Sequence, residues 1–353
     1  MAHLPRPSSS DAGLQIINGV YDHLKIDKQW TVWEERGFTW WGWRSAQRVW
    51  SERGVDDDGI TVYRLRAQTD FVDGFDGSEK QYAMLNLLAM NASLSGVVRD
   101  PKTPGRLSVA TSVYAHGQNL AWASHLFTFA TIMQVAEAEI NGGMMEMVGL
   151  RQASSPHPLN GPRQQMDEML DIFKLLIRPG GEKPSAYVGR EFLELLKMLQ
   201  SPPCVMANGD EGGLTAEFPF PGHTSLLRLT TKDQNPRAGN GLLARLTLPK
   251  GEMDLAGFKL AIELNEMELS TMTRCNFTGS WCVSKQGLTF VMFAPNALCV
   301  PSALTNIAIS HVIRSRWVTE SRFNFSQGAN FTESSKRRLS FFGRIFSRGD
   351  SAP

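Results

Sequence analysis

The chain has little of what most function classes require. Its four cysteines (Cys204, Cys275, Cys282 and Cys299) lack CxxC spacing, which fits a reducing compartment where cysteine serves as a small buried hydrophobe. Cys275 and Cys282 are far enough apart to meet across a hairpin, but nothing demands it. No run of 18 apolar residues occurs, and the opening MAHLPRPSSSDAG has no apolar core. The expectation is a protein with neither membrane span nor signal peptide, located in the cytoplasm. An excess of one charge is also missing: 36 Lys+Arg against 35 Asp+Glu give a net charge of +1. No global field gathers polyanions, which argues against a dedicated nucleic-acid binder.

Catalytic signatures are absent too. There is no Walker loop, GxGxxG, HExxH or GxSxG, so the reading is of no enzyme, no cofactor and no metal. The stretch GVDDDGITVYRL resembles a calcium loop until Gly59 takes the glycine place. Gly54 and Leu65 then fall on the first and last ligand positions, and neither binds the ion. An acidic hairpin turn is the better account. His116 and His125 have Ala297 and Asn306 as counterparts 181 positions later, and they are read as structural.

What is present is a sequence that says nearly the same thing twice. Asp58-Gly59 before ITVYRLRA reads against Asn240-Gly241 before LLARLTLP, an offset of 182. Leu85-Asn86 matches Leu264-Asn265 at 179, SLSG ending at Gly96 matches NFTG ending at Gly279 at 183, and Gly105 matches Gly287 at 182. Such positions are ones where backbone geometry asks for that residue type. At 353 residues, 42% hydrophobic and 20% charged, the chain is a globular protein large enough for two cores.

The periodicity predicts an α+β protein made of two tandem α-β-β-β-α-β-β-α units. In the first, Ser10 and Asp11 cap a helix with Leu14, Ile17, Tyr21 and Leu24 on one face. Strands follow over 38–50 and 60–67, then a helix over 78–91, strands over 93–99 and 106–114, and a long helix with the stripe Leu126, Phe129, Met133, Ala136 and Ile140. In the second, a helix after Ser185 carries Val188, Phe192, Leu195 and Leu199. Strands are expected over 204–219, 224–230 and 242–248, a helix over 254–267, strands over 274–283 and 288–294, and a closing helix on Ile309, Val312, Ile313 and Trp317. The boundaries are a flexible start at 1–11, repeats at 12–145 and 184–320, a connector with an extra amphipathic helix at 146–183, and a flexible basic tail at 321–353.

This element order, with the LN…G…G landmarks, resembles the type III secretion chaperone-like fold, including its YbjN-like branch. The resemblance covers about 30–145 and 185–320. It implies a protein-binding function without cofactor or chemistry, in a family that usually works as homodimers of one unit. Fusion of two units here implies a monomeric pseudo-dimer whose copies can diverge.

Two features point to a partner. Six of nine tryptophans are Trp30, Trp33, Trp40, Trp41, Trp43 and Trp50, where the second repeat has only Phe218 and Phe220. Strand alternation puts Trp41 and Trp43 on one face and Trp40 on the other. The cluster is core with inter-repeat packing or a peptide-binding surface, for which Trp40, Trp41, Trp43 and Trp50 are the candidates. Met144, Met145 and Met147 read as gap-filling core or as a soft contact surface. The tail KRRLSFFGRIFSR is basic and amphipathic: Leu339, Phe342 and Phe346 share a helical face, among Lys336, Arg337, Arg338, Arg344 and Arg348. It either touches an anionic membrane surface or a partner, or is a terminal segment without a role. The rival to a binding module is an enzyme with its site in the cleft between repeats.

Overall fold

The computed structural model describes residues 5–8, 11–56, 59–170, 184–200, 206–220, 223–236, 238–270 and 275–319. Residues 1–315 form one compact unit. It holds two antiparallel sheets: β1(Thr31–Glu34), β2(Gly37–Trp41), β3(Ala46–Val55), β4(Thr61–Asp73), β5(Gly96–Arg99) and β6(Arg106–His116) in the order 1-2-3-4-6-5, and β8(Met206–Asp210), β9(Gly213–Phe220), β10(His223–Thr230), β11(Gly241–Leu248), β12(Ser280–Ser284) and β13(Gly287–Pro295) in the order 8-9-10-11-13-12. A short β7(Arg151–Gln152) adds to β4. Strand for strand the two orders are the same, so Gly59 and Gly241 both enter the fourth strand from the outer edge, and Gly105 and Gly287 both enter the fifth. The chain is a tandem α+β pseudo-dimer, with more strands than the three-plus-two pattern predicts. The first sheet adds β1 at its outer edge and β7, both too short to show a period of their own, and in the second the single strand expected over 204–219 is two, β8 and β9, parted at Glu211-Gly212.

Helices α1(Ala12–His23), α2(Glu79–Met90) and α3(Leu120–Met145) belong to the first repeat, and α4(Gly189–Leu199), α5(Leu255–Ser270) and α6(Ala303–Val318) to the second. Asp11 caps α1 by accepting from the Leu14 amide, with Leu14, Ile17 and Val20 buried beneath. Ser185 does not cap α4: Val188 stands at its N-cap, half exposed, and the Ser185 hydroxyl accepts from Tyr187 N instead. The extra helix expected over about 163–178 lies half within the described residues: 163–167 are not helical, helix begins at 168, Leu170 is fully buried, and the rest lies outside those described. The basic tail, with Arg337, Arg338, Phe342, Arg344 and Phe346, lies outside the described residues as well.

The two sheets exchange strand ends at a pseudo-twofold. Beyond Gly96 the chain pairs with β6 of its own repeat, Gly96 lying opposite Ala110. Before Gly96, the Ser93 carbonyl accepts from Phe293 N of β13 in the other repeat, at 3.1 Å. The second copy does the reverse: beyond Gly279 the chain pairs with β13, whereas the Phe277 carbonyl accepts from Ser112 N of β6 at 2.9 Å. This is the reciprocity of an isologous dimer interface, realised within one chain. Gly96 and Gly279 mark the crossing, where a Cβ on Gly96 would stand 2.7 Å from the Gly279 carbonyl oxygen and 2.6 Å from the Phe277 ring. Gly96 is therefore needed for close backbone approach, whereas Gly59 and Gly105 take φ of +77° and +76°.

The landmark asparagines act at the same seam. Asn86 of α2 pairs with both backbone groups of Val283 in β12, at 2.7 and 3.0 Å, and Asn265 of α5 donates to the Val97 carbonyl of β5 at 3.0 Å while accepting from Trp281 N of its own repeat at 2.8 Å. Each helix thus holds the edge strand of the opposite copy, so neither edge is left open. The strands nearest the seam (β4, β6, β11 and β13) are buried along almost their whole length.

Candidate partner-binding site

With β5 and β12 locked at the seam, the edges left unpaired among the described residues are β1 in the first repeat and β8 in the second, and they differ. β8 reads MANGD and is mostly exposed. β1 borders a groove of about 660 Å3 lined by Pro5, Arg6, Tyr21, Lys28, Gln29, Thr31, Trp33, His157, Leu159 and Asn160. Only Glu35 and Arg36 join β1 to β2, so Glu34 and Gly37 form the first bonded pair and the backbone groups of Thr31 and Trp33 face the outer edge.

Aromatic rings form the groove floor. Tyr21 of α1 lies 4.7 Å from Trp33 and 5.5 Å from Phe38, and Trp33 lies 5.3 Å edge-on to Phe38. One wall is a tight turn in which His157 and Gly161 exchange both backbone hydrogen bonds. His157 Nδ1 accepts from the amides of Leu159 and Asn160, which leaves the proton on Nε2. Asn160 ties this turn to the Gln29 carbonyl at 2.6 Å. Arg163 clamps the same segment through the Trp41 carbonyl and Asp27, with its guanidinium 5.2 Å from the Trp30 ring. Leu159 at 64% exposure forms the rim.

The candidate tryptophans do not line this groove. Trp40, 1% exposed, donates to Gln47 at 2.6 Å within a buried network that runs through Gln134, Thr69 and the Thr131 carbonyl. Trp41, 6% exposed, points to the other face as alternation requires. The connector covers it there: its indole donates to the Ser155 carbonyl at 2.7 Å, and His157 packs edge-on at 4.5 Å. Both faces of β2 are closed at this point. β2 ends at Trp41, so Trp43 lies in the following turn rather than sharing a strand face with it. Trp43 and Trp50 are half-buried, under Arg44 at 4.1 Å and Arg48 at 4.7 Å. Of the methionines, Met145 is buried, whereas Met144 and Met147 are exposed.

Several strongly shifted titratable groups sit in the core, whereas Arg99, raised by its fork on Glu266, lies at the surface. Glu268, Arg314 and His311 are fully buried in the second repeat. Arg314 Nε donates to both Glu268 oxygens at 2.8 and 3.1 Å, another of its nitrogens donates to the Asn276 carbonyl, and Trp281 donates to Glu268 at 2.9 Å. Burial pushes the Glu268 carboxyl up against the pull of Arg314. Burial also lowers His311 to about 3, with Arg314 acting in the same direction, and its Nδ1 donates to the Ile307 carbonyl. Arg64, buried in β4 and lowered to about 10 by desolvation, crosses the seam to the Cys275 carbonyl at 2.9 Å. A cavity of about 30 Å3 at the seam, bordered by Ser95, Glu137, Asn141 and Ser280, has room for a water and not a substrate.

The other candidates resolve simply. Asp56 Oδ1 accepts from Ile60 N in the acidic turn. His125 contacts the Ala297 carbonyl, and His116 stacks near Tyr114. Cys275 and Cys282 are buried and not joined in a disulfide, and burial pushes the Cys282 thiol up to about 12. Among the described residues no cluster of His, Cys, Asp or Glu is arranged to hold a metal, and no helix is long and apolar enough to cross a membrane.

No protein-family model, curated protein or solved structure matches the chain.

Proposed function

We propose that the protein is a non-enzymatic binding module, chaperone-like or adaptor in kind, that takes an extended segment of another protein along the β1 edge. The observation that carries this reading is the groove itself: Tyr21 and Trp33 beside an unpaired strand edge, with no acid among the lining residues. A catalytic pocket needs titratable groups converging on one point. The strongly shifted Glu268 and His311 lie in the core instead, where they are spent on the fold. Strand addition fits the geometry, with the edge supplying backbone bonds and the rings supplying anchor pockets. Because the tethered copies meet at high effective concentration, the working form is a monomer, in the cytoplasm.

Affinity capture from the source organism tests this reading. The native chain and Met206→Ala, altered on the opposite edge, should retain the same partner, and Trp33→Ala should lose it while still melting cooperatively as a folded chain. Equal capture by all three rules the groove out.

A further inference from the structure

The groove is already partly filled, and by a segment whose chemistry is specific. Pro5, Arg6 and Pro7 lie across α1. Nη1 and Nη2 of Arg6 fork onto the two oxygens of Asp22 at 2.8 and 2.6 Å, Nε donates to Asn18 Oδ1 at 3.0 Å, and Nη2 also donates to the Asn18 carbonyl at 3.2 Å. Asn18 returns a bond from Nδ2 to the Pro7 carbonyl at 3.2 Å. The guanidinium carbon stands 5.4 Å from the Tyr21 ring and 5.5 Å from Trp33, within cation–π range of both. An exposed ion pair alone is worth little. A planar fork on a carboxylate, with a second acceptor for Nε and two rings within reach, is a built guanidinium receptor that lysine cannot satisfy.

We infer that the Asn18–Tyr21–Asp22–Trp33 site recognises an arginine flanked by prolines in an extended segment of a partner protein, and that the chain's own arm is a stand-in for that segment. This rests on the groove being the partner site. Three observations point to this occupant. The arm contacts the site through one arginine and one proline carbonyl, so the group that the site selects is a guanidinium. The groove runs on past Arg6 to Gln29, Thr31, Leu159 and Asn160, leaving room for residues that the arm does not supply. Proline on both sides favours the extended, pre-organised backbone that aromatic grooves accept at low entropic cost. A short tether gives the arm a local concentration in the millimolar range, so a weak internal contact suffices to screen out ligands lacking the fork.

The test uses full-length chains and a fluorescently labelled peptide of residues 3–9, HLPRPSS, read by anisotropy. Arg6→Ala in the protein empties the site and should bind the peptide at least tenfold more tightly than the native chain, whose arm competes. The same peptide with Arg6→Lys should bind Arg6→Ala protein at least tenfold more weakly, and Asp22→Asn added to that protein should have a similar effect. Absence of saturable binding to Arg6→Ala protein, or equal binding of the Arg and Lys peptides, overturns the inference. So does concentration-dependent dimerisation of the native chain that Asp22→Asn abolishes, which would make a second copy's arm the occupant. If Trp33-dependent capture succeeds and the peptide fails, the groove reading stands and the ligand chemistry falls; if both fail, the groove reading falls with it.

Discussion

The two repeats share a strand order and a seam, yet they solve the interior and the open edge differently. Around Gln134 of α3 in the first repeat the buried network is neutral, Gln134 being satisfied by Gln47, Thr69 and the Ala67 carbonyl, while buried charge there stands apart as Arg64, Glu137 and Glu139. In the second repeat a full ion pair, Arg314 with Glu268, is buried beside neutral His311. At the outer edge the first repeat has Tyr21, Trp33 and the 157–161 turn, where the second has the bare, polar β8. Exchange of strand ends demands the same glycines and asparagines from both copies, whereas the edges are constrained by no symmetry-related contact. The difference teaches that the seam holds the two copies to one geometry and the outer edge is where they are left to diverge.

The largest effect should come from breaking the buried pair. Glu268→Ala strands a buried Arg314 and should cost about 3–5 kcal/mol in chemical denaturation, whereas Glu268→Leu with Arg314→Met should recover much of that loss. Gln134→Ala, the first-repeat comparison, should cost about 1–3 kcal/mol because it orphans neutral partners only. Equal losses for the two single changes would erase the contrast between the interiors. Trp40→Ala and Trp41→Ala should each destabilise, Trp40→Ala by about 3–5 kcal/mol. Opposite phenotypes for the two substitutions would mean that the connector does not cover β2.

The pH response sharpens the same contrast. His311 is held neutral down to about 3 in the folded chain, against an ordinary value of 6.5. Its contribution is undiminished above 6.5 and is lost progressively as pH falls toward 3, because the unfolded chain takes up a proton that the folded chain refuses. By pH 5 the loss should reach about 2 kcal/mol, and His311→Leu should flatten that part of the profile. An unchanged profile would show that protonation of His311 is not resisted. At the seam, Gly96→Ala should cost about 1–3 kcal/mol through overpacking against Phe277 and the Gly279 carbonyl. Gly117→Ala, where a Cβ would meet nothing within 4 Å, should change little by comparison.

Much of the architecture was legible because duplication writes the same constraint twice. The offsets of Gly59, Asn86, Gly96 and Gly105 identified the repeat, although their reasons divide between positive φ and close approach. The closing helix was misread on its inward face. Ile309, Val312, Ile313 and Trp317 suggested an apolar stripe, but those positions are half-buried and the fully buried ones include His311, Arg314 and Ser315. A stripe argument assumes that burial follows hydrophobicity, and a buried ion pair inverts it. The tryptophan cluster pointed to Trp40, Trp41, Trp43 and Trp50, whereas the groove is lined by Trp33, Tyr21 and the arm residues Pro5 and Arg6. The arm's bond to Asp22 spans 16 positions between a terminal segment and a helix, and no periodicity encodes such a contact.

The central claim is that the open edge of the first repeat, and not its counterpart in the second, meets the partner. A photo-crosslinking residue placed at Leu159 on the groove rim, or at Met206 on β8, tests this most directly in living cells. The account predicts a discrete crosslinked species from Leu159, lost on adding Trp33→Ala, and none from Met206. A crosslink from Met206 alone, or one from Leu159 indifferent to Trp33, would contradict it.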